Sequence, residues 1–143
     1  MNKTIDLVWL KIQIAIAAIG SEIGFLVGEL DGLLITLLVF MVLDYISGVM
    51  CAIEDRKLSS SVGFKGICRK VSILMLVGVG HVLDTHVIGS GSALRTAVIC
   101  FYLSNEGVSL LENTSHLGLP VPRKLKTVLE QVHKRADDNE KVK

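Results

Sequence analysis

LDYISGVMCAIEDRKLSSSVGFKGICRK, residues 43–70, sets the orientation of every other segment of the chain. It opens on the end of a long apolar run that holds one acid, Asp44. A short polar segment follows, with Arg56, Lys57, Lys65, Arg69 and Lys70 set against Glu54 and Asp55. A second apolar run starts at Val71. Two apolar runs joined by a basic loop are the pattern of two membrane spans connected on the cytoplasmic side, because Lys and Arg resist translocation. Ser60 or Ser61, in the serine- and glycine-rich interior of this loop, can cap a short helix.

The runs on either side have the lengths that lipid requires. Residues 33–53 cover about 30 Å at helical rise, the thickness of the hydrocarbon core. Residues 71–88 make a second, shorter span, and the turn Gly89–Ser92 joins it to a third at 93–111. Asp44 lies 11 residues into the first of these spans, and Glu106 lies 13 into the third. Both are therefore expected at one depth, where a charged acid costs roughly 2.5–3.5 kcal/mol on insertion scales. They must be neutralised, paired or turned to a wet cavity. Donors expected for a structural network are Ser47, Asn105, Tyr102 and Arg69. Arg95, near the turn, is expected to snorkel outward or to pair with Asp84 across the hairpin. His81, Asp84 and His86 cluster in sequence, but on a helix His86 points away from the other two, so no metal site is expected.

Residues 5–30 carry three patterns at once. Ile5, Trp9, Ile12, Ile16, Ile19, Ile23, Leu26 and Leu30 form an apolar seam at steps of four and three. Gly20, Gly24, Gly28 and Gly32 recur every four residues on another face, a spacing that lets helices approach closely in lipid. Lys11, Glu22 and Glu29 share a third strip. Such a helix spans the bilayer, lies in its interface or lines a wet lumen. At the other end, Pro120 and Pro122 break the chain after residue 112. A basic amphipathic helix is then expected over 122–135, with Arg123, Lys124 and Lys126 on an anionic membrane surface, and a solvated tail over 136–143.

Composition narrows the classes. The chain has 143 residues, enough for one domain, with 50% hydrophobic and 20% charged residues. Mean hydropathy is +0.56. A net charge of +1 gives no reason to expect nucleic acid. The three cysteines show no CxxC spacing, so no disulfide framework is expected. No cleaved leader is expected either, since no short apolar run ends in a small-x-small site. Walker and GxGxxG patterns are absent, and no nucleophile, base and orienting group come together in sequence, so neither a cofactor nor an enzyme is expected. The fold class expected is an all-α integral membrane protein with three transmembrane helices, an N-terminal amphipathic or spanning helix, and a C-terminal basic helix.

Two blocks resemble the phage-lysis and toxin-secretion holins of the phage holin family 4 type. One is residues 43–70, with an acid in the span, a Gly four residues on, a basic turn, serines before Gly-x-x-Gly, and Arg-Lys opening the next span. The other is NEGVSLLENTSHLGLPVPRKLK, with Glu in the last span, then Gly-Leu-Pro-x-Pro and a basic helix. With the spacing between them the resemblance covers roughly residues 33–133; the glycine repeat is a feature of this chain. The basic loop, placed inside, puts the 89–92 turn outside and the C-terminus on the cytoplasmic side. The resemblance implies homo-oligomers in the bacterial inner membrane and lesions that release an endolysin or a toxin without covalent chemistry. It also implies an antiholin or endolysin as partner. A small ion channel or proton-coupled transport subunit would use the same acids, and a passive membrane adaptor would dock a partner on the basic C-terminal helix.

Overall fold

Asp31 and Ser59 start two of the helices that build this chain. The Asp31 carboxylate accepts the Leu34 N–H at 2.8 Å, and the Ser59 hydroxyl accepts the Val62 N–H at 3.3 Å. Each satisfies a backbone donor that a helix leaves unpaired at its first turn. The computed structural model describes residues 3–125, 127, 128 and 131, and among these it contains helices and no strand. Helix α1 is Lys3–Val27, α2 is Gly32–Glu54, α3 is Ser60–Leu83 and α4 is Ala93–His116. The chain continues from α3 into one π-helical turn, Asp84–Ile88.

The basic loop is shorter than the sequence suggests. Helix α3 begins at Ser60, so only residues 55–59 connect it to α2, and the cap is Ser59 in place of Ser60 or Ser61. Arg56 and Lys57 remain in the turn, whereas Lys65, Arg69 and Lys70 sit on the first turns of α3. The glycine repeat is also divided. Helix α1 stops at Val27, and Gly28 follows at φ +85°, a conformation open to glycine at no steric cost. Gly32 belongs to α2. One helix face therefore holds only Gly20 and Gly24, and neither has a neighbour within 4 Å of an added Cβ.

The core runs along the inner faces of three helices, Leu34, Leu37 and Met41 from α2, Ile73 and Val77 from α3, and Ile99 and Leu103 from α4, and is joined by Val27 at the end of α1. These positions recur at steps of three and four, the period of one helical face. Helix α4 lies between α2 and α3, which touch each other little although they are consecutive. Their contact is local: the Tyr45 ring rests on Gly63 and Gly66, where a Cβ on Gly66 would come within 3.1 Å of the ring. Outside this core, Ile35, Val39, Val42, Ile46 and Met50 of α2 are exposed, as are Met75 and Val79 of α3. An apolar outer surface around an inner polar set fits lipid as the solvent.

Among the described residues, three helical stretches are long and apolar enough to cross a membrane: Leu7–Val27, Gly32–Glu54 and Ser60–Ile88. Helix α4 has the length, at 24 residues, but it carries Arg95, Asn105, Glu106, Glu112 and Asn113. The stretch 93–111, expected as a span, is thus the polar centre of the bundle. Its buried residues include Arg95, Ser104 and Glu106. Of the expected C-terminal helix, residues 123–125, 127, 128 and 131 are helical; Lys126 and the tail 136–143 lie outside the described residues.

Candidate functional site

Two polar clusters tie the bundle together, one near mid-helix and one at the end that holds the 28–31 and 89–92 turns. The first follows from helix register. Asp44 lies ten residues before Glu54, Lys70 ten after Ser60, and Glu106 ten before His116. All three thus stand at one level, about 15 Å from the same end of the bundle by helical rise. There the Lys70 ammonium bonds to both carboxylates, Asp44 Oδ2 and Glu106 Oε2. The Asn113 amide donates to Asp44 Oδ1 at 3.2 Å and to Ser47 Oγ at 2.9 Å. The Glu106 side chain is 1% exposed and that of Lys70 14%, so water does little of the neutralising.

The sequence places Asp44 and Glu106 at one depth, and the structure brings them together. Their partners differ from those expected. Ser47 donates to the Asp44 backbone carbonyl at 3.0 Å and does not reach the carboxylate. Asn113, about two helical turns beyond Asn105, supplies the amide, and Asn105 is only half-buried. Lys70 replaces Arg69 as the cation. Beside the cluster lies a cavity of about 220 Å³, with Tyr45, Arg69, Lys70, Ser109 and Asn113 in its wall. Nearer the bundle end, Asp55 accepts from His116 Nε2 at 3.0 Å and from Lys57 Nζ at 3.3 Å, linking the ends of α2 and α4. These two bonds, the His116 bond first, hold the Asp55 carboxyl below its usual range.

The second cluster centres on Arg95, which is 4% exposed. It neither snorkels nor offers its guanidinium to Asp84. Arg95 Nε donates to the Val27 carbonyl at 2.8 Å, Nη2 to the Glu29 carbonyl at 2.6 Å, and Nη1 to Asp31 Oδ2 at 2.5 Å. One side chain of α4 thus satisfies the C-terminal carbonyl of α1 and grips the acid that caps α2. The Arg95 bond, with the Leu34 N–H, holds the Asp31 carboxyl below its usual range. Asp84 has a different task. Its carboxylate accepts the backbone N–H groups of Leu94 at 3.1 Å and Arg95 at 2.8 Å, so the π-helical turn after α3 caps α4. His81 packs on Gly28, where an added Cβ would meet its Nδ1 at 2.8 Å. Small residues make these contacts possible: a Cβ on Gly80 would lie 3.0 Å from the Arg95 Cα, and one on Gly78 would lie 3.2 Å from the Leu26 carbonyl oxygen.

Both clusters fall inside the region, residues 21–134, that matches the profile of the bacteriophage holin family. The chain belongs to that family. Among its relatives, the "Probable holin" of Bacillus phage phi105 is 30% identical over 117 residues, covering 82% of this chain and 83% of the phage protein. An uncharacterised protein of Listeria innocua is 41% identical over 129 residues, covering 90% and 91%. An uncharacterised 14.9 kDa protein of Clostridium perfringens is 39% identical over 124 residues, covering 87% and 94%. No solved structure matches the chain. Family membership accounts for α2, α3, α4 and their clusters, while most of α1 precedes the matched region. Arg123 and Lys124, expected on a membrane surface, are exposed beyond α4.

Proposed function

We propose that this protein is a holin. Its copies accumulate in the bacterial cytoplasmic membrane, associate, and open lesions that pass an endolysin or a toxin. The observation that carries this reading is the family match across α2, α3 and α4, which includes every residue of the mid-bundle cluster. No covalent step is needed. The charge distribution supports a cytoplasmic C-terminus: Arg56, Lys57, Lys65 and Arg69 gather at the end that also holds the chain beyond α4, with Arg123 and Lys124. The opposite turns, residues 28–31 and 89–92, contain acids, glycine and serine but neither Lys nor Arg.

In the closed bundle, Lys70 shields Asp44 and Glu106 from lipid. Separation of α2, α3 and α4 during lesion formation would expose these groups, which then favour a shared wet surface among protomers. The double substitution Asp44→Asn with Glu106→Gln tests this role: lysis timing should shift, and unchanged timing removes both acids from the mechanism.

The function itself is tested by inducing the protein in bacteria that hold a cytoplasmic endolysin without an export signal and a folded fluorescent reporter. Abrupt lysis with reporter release is expected. Retention of both proteins while the chain sits in the membrane overturns the reading. The buried cluster beside a cavity gives a small ion channel as the second reading, and ion efflux without reporter release would establish it. Delayed lysis on co-expression of a candidate antiholin would add that partner.

A further inference from the structure

Among the described residues, helix α1 meets the bundle near its C-terminal end. From Leu7 to Glu22 every described side chain is exposed, and burial begins with Val27 and Gly28. Between Leu7 and Val27 the charged residues are Lys11 and Glu22. They stand eleven residues apart, which on a helix is about 16 Å along the axis and about 20° around it. They therefore share a face but are too far apart to pair with each other. Ala15 and Ala18 lie between them on that face. The side that meets the bundle, marked by the buried Val27, is roughly 140° away from Glu22 by helical geometry. Neither charge can turn to its own bundle. Glu29, which shares their strip in the sequence, lies beyond the end of α1, where its carbonyl accepts from Arg95.

We propose that this face of α1 is the docking surface for the α1 of a second copy, in antiparallel register. The arrangement is self-complementary. Lys11 of each copy meets Glu22 of the other, and Ala15 of each meets Ala18 of the other, where small side chains allow close approach. A parallel register sets Lys11 against Lys11 and Glu22 against Glu22, which repels. Copies inserted in the same sense can pair this way only when α1 lies along the membrane surface, about a twofold axis normal to the bilayer. The contact thus assigns α1 an interfacial position as well as a partner. It rests on the homo-oligomer of the proposed function and specifies its geometry.

Val8 and Phe25, both exposed, flank the face 17 residues apart. Antiparallel pairing puts residue 8 of one copy beside residue 25 of the other, whereas parallel pairing leaves them about 25 Å apart. The test places Val8→Cys and Phe25→Cys in separately tagged chains that lack Cys51, Cys68 and Cys100, and oxidises membranes from co-expressing cells. The expected result is a mixed 8–25 disulfide several-fold more abundant than either same-position product. Lys11→Glu alone, or Glu22→Lys alone, should lower the mixed product several-fold. Placing Lys11→Glu in one chain and Glu22→Lys in the other should restore it, because one face then carries two acids and the other two bases. Predominant same-position disulfides overturn the proposal. So does absence of the 8–25 product while an amine-reactive cross-linker still captures oligomers, an outcome that leaves the holin reading standing. Absence of oligomers with every cross-linker overturns both.

Discussion

Replacing Lys70 with Met should destabilise the bundle far more than its position near the end of a basic loop suggests. Met keeps the length and apolar body of the side chain and removes the ammonium. Asp44 and Glu106 then face each other with no cation between them. Both oxygens bond one nitrogen, so they lie within about 5–6 Å of each other by ordinary hydrogen-bond lengths. Two unit charges about 5 Å apart repel by about 3 kcal/mol at an effective dielectric constant of about 20. Loss of one partner from a buried ionic set costs about 3–5 kcal/mol, which agrees with that figure. The assay is reversible unfolding in mixed detergent micelles, followed by circular dichroism. Asp44→Asn and Glu106→Gln, added to Lys70→Met, should recover more than half of the loss, since the neutral side chains keep hydrogen-bonding capacity and shed the repulsion. A Lys70→Met protein within about 0.5 kcal/mol of the parent, the range of an ordinary surface substitution, would refute the cluster as a structural tie.

Gly80→Ala should cost about 1–3 kcal/mol in the same assay, because its methyl group meets the Arg95 backbone at 3.0 Å. Gly20→Ala, with nothing within 4 Å, should leave the fold of a single chain unchanged. Arg95→Lys should loosen α1 from the bundle, since one ammonium cannot reproduce a planar fork reaching two carbonyls and a carboxylate; faster protease cleavage after Val27 would report it. The Asp31 carboxyl is held below its ordinary value of 3.8, so its contribution is fully present above about pH 4 and lost as pH falls through the lower, folded value. Asp31→Asn should flatten the stability profile below about pH 4 and leave its shape at neutral pH unchanged.

The main helices and the common depth of Asp44 and Glu106 are legible in the sequence because both depend on run length and helical rise. Lys70 escapes that reasoning. The stretch from Ser60 to Gly66 has the serines and glycines of a turn, so its basic residues look like flanking charges. Ser59 caps it as a helix instead, and Gly63 and Gly66 are small because Tyr45 packs against them. Once α3 is known to start at Ser60, Lys70 falls at the level of the two acids. The partners of Arg95 are hidden for another reason. They lie 64 to 68 residues away, and two of its three acceptors are backbone carbonyls, which leave no mark in a sequence. The glycine repeat misleads at Gly28, where a four-residue period continues through the end of a helix. The Lys11–Glu22 strip is legible throughout, and the structure adds that none of the described residues of the bundle faces it.

The central place of α4 bears on how the protein is made. A segment with Arg95 near one end and Glu106 at mid-helix is a poor candidate for unassisted entry into a bilayer, since one charge near the middle of a span costs roughly 2.5–3.5 kcal/mol. Ribosomes deliver it after the other three helices, when the ammonium of Lys70, the carboxylates of Asp31 and Asp84, and the open carbonyls after α1 are already waiting. Translation order thus gives the least lipid-compatible helix a prepared berth, and a transcript that placed α4 first would leave it stranded in water.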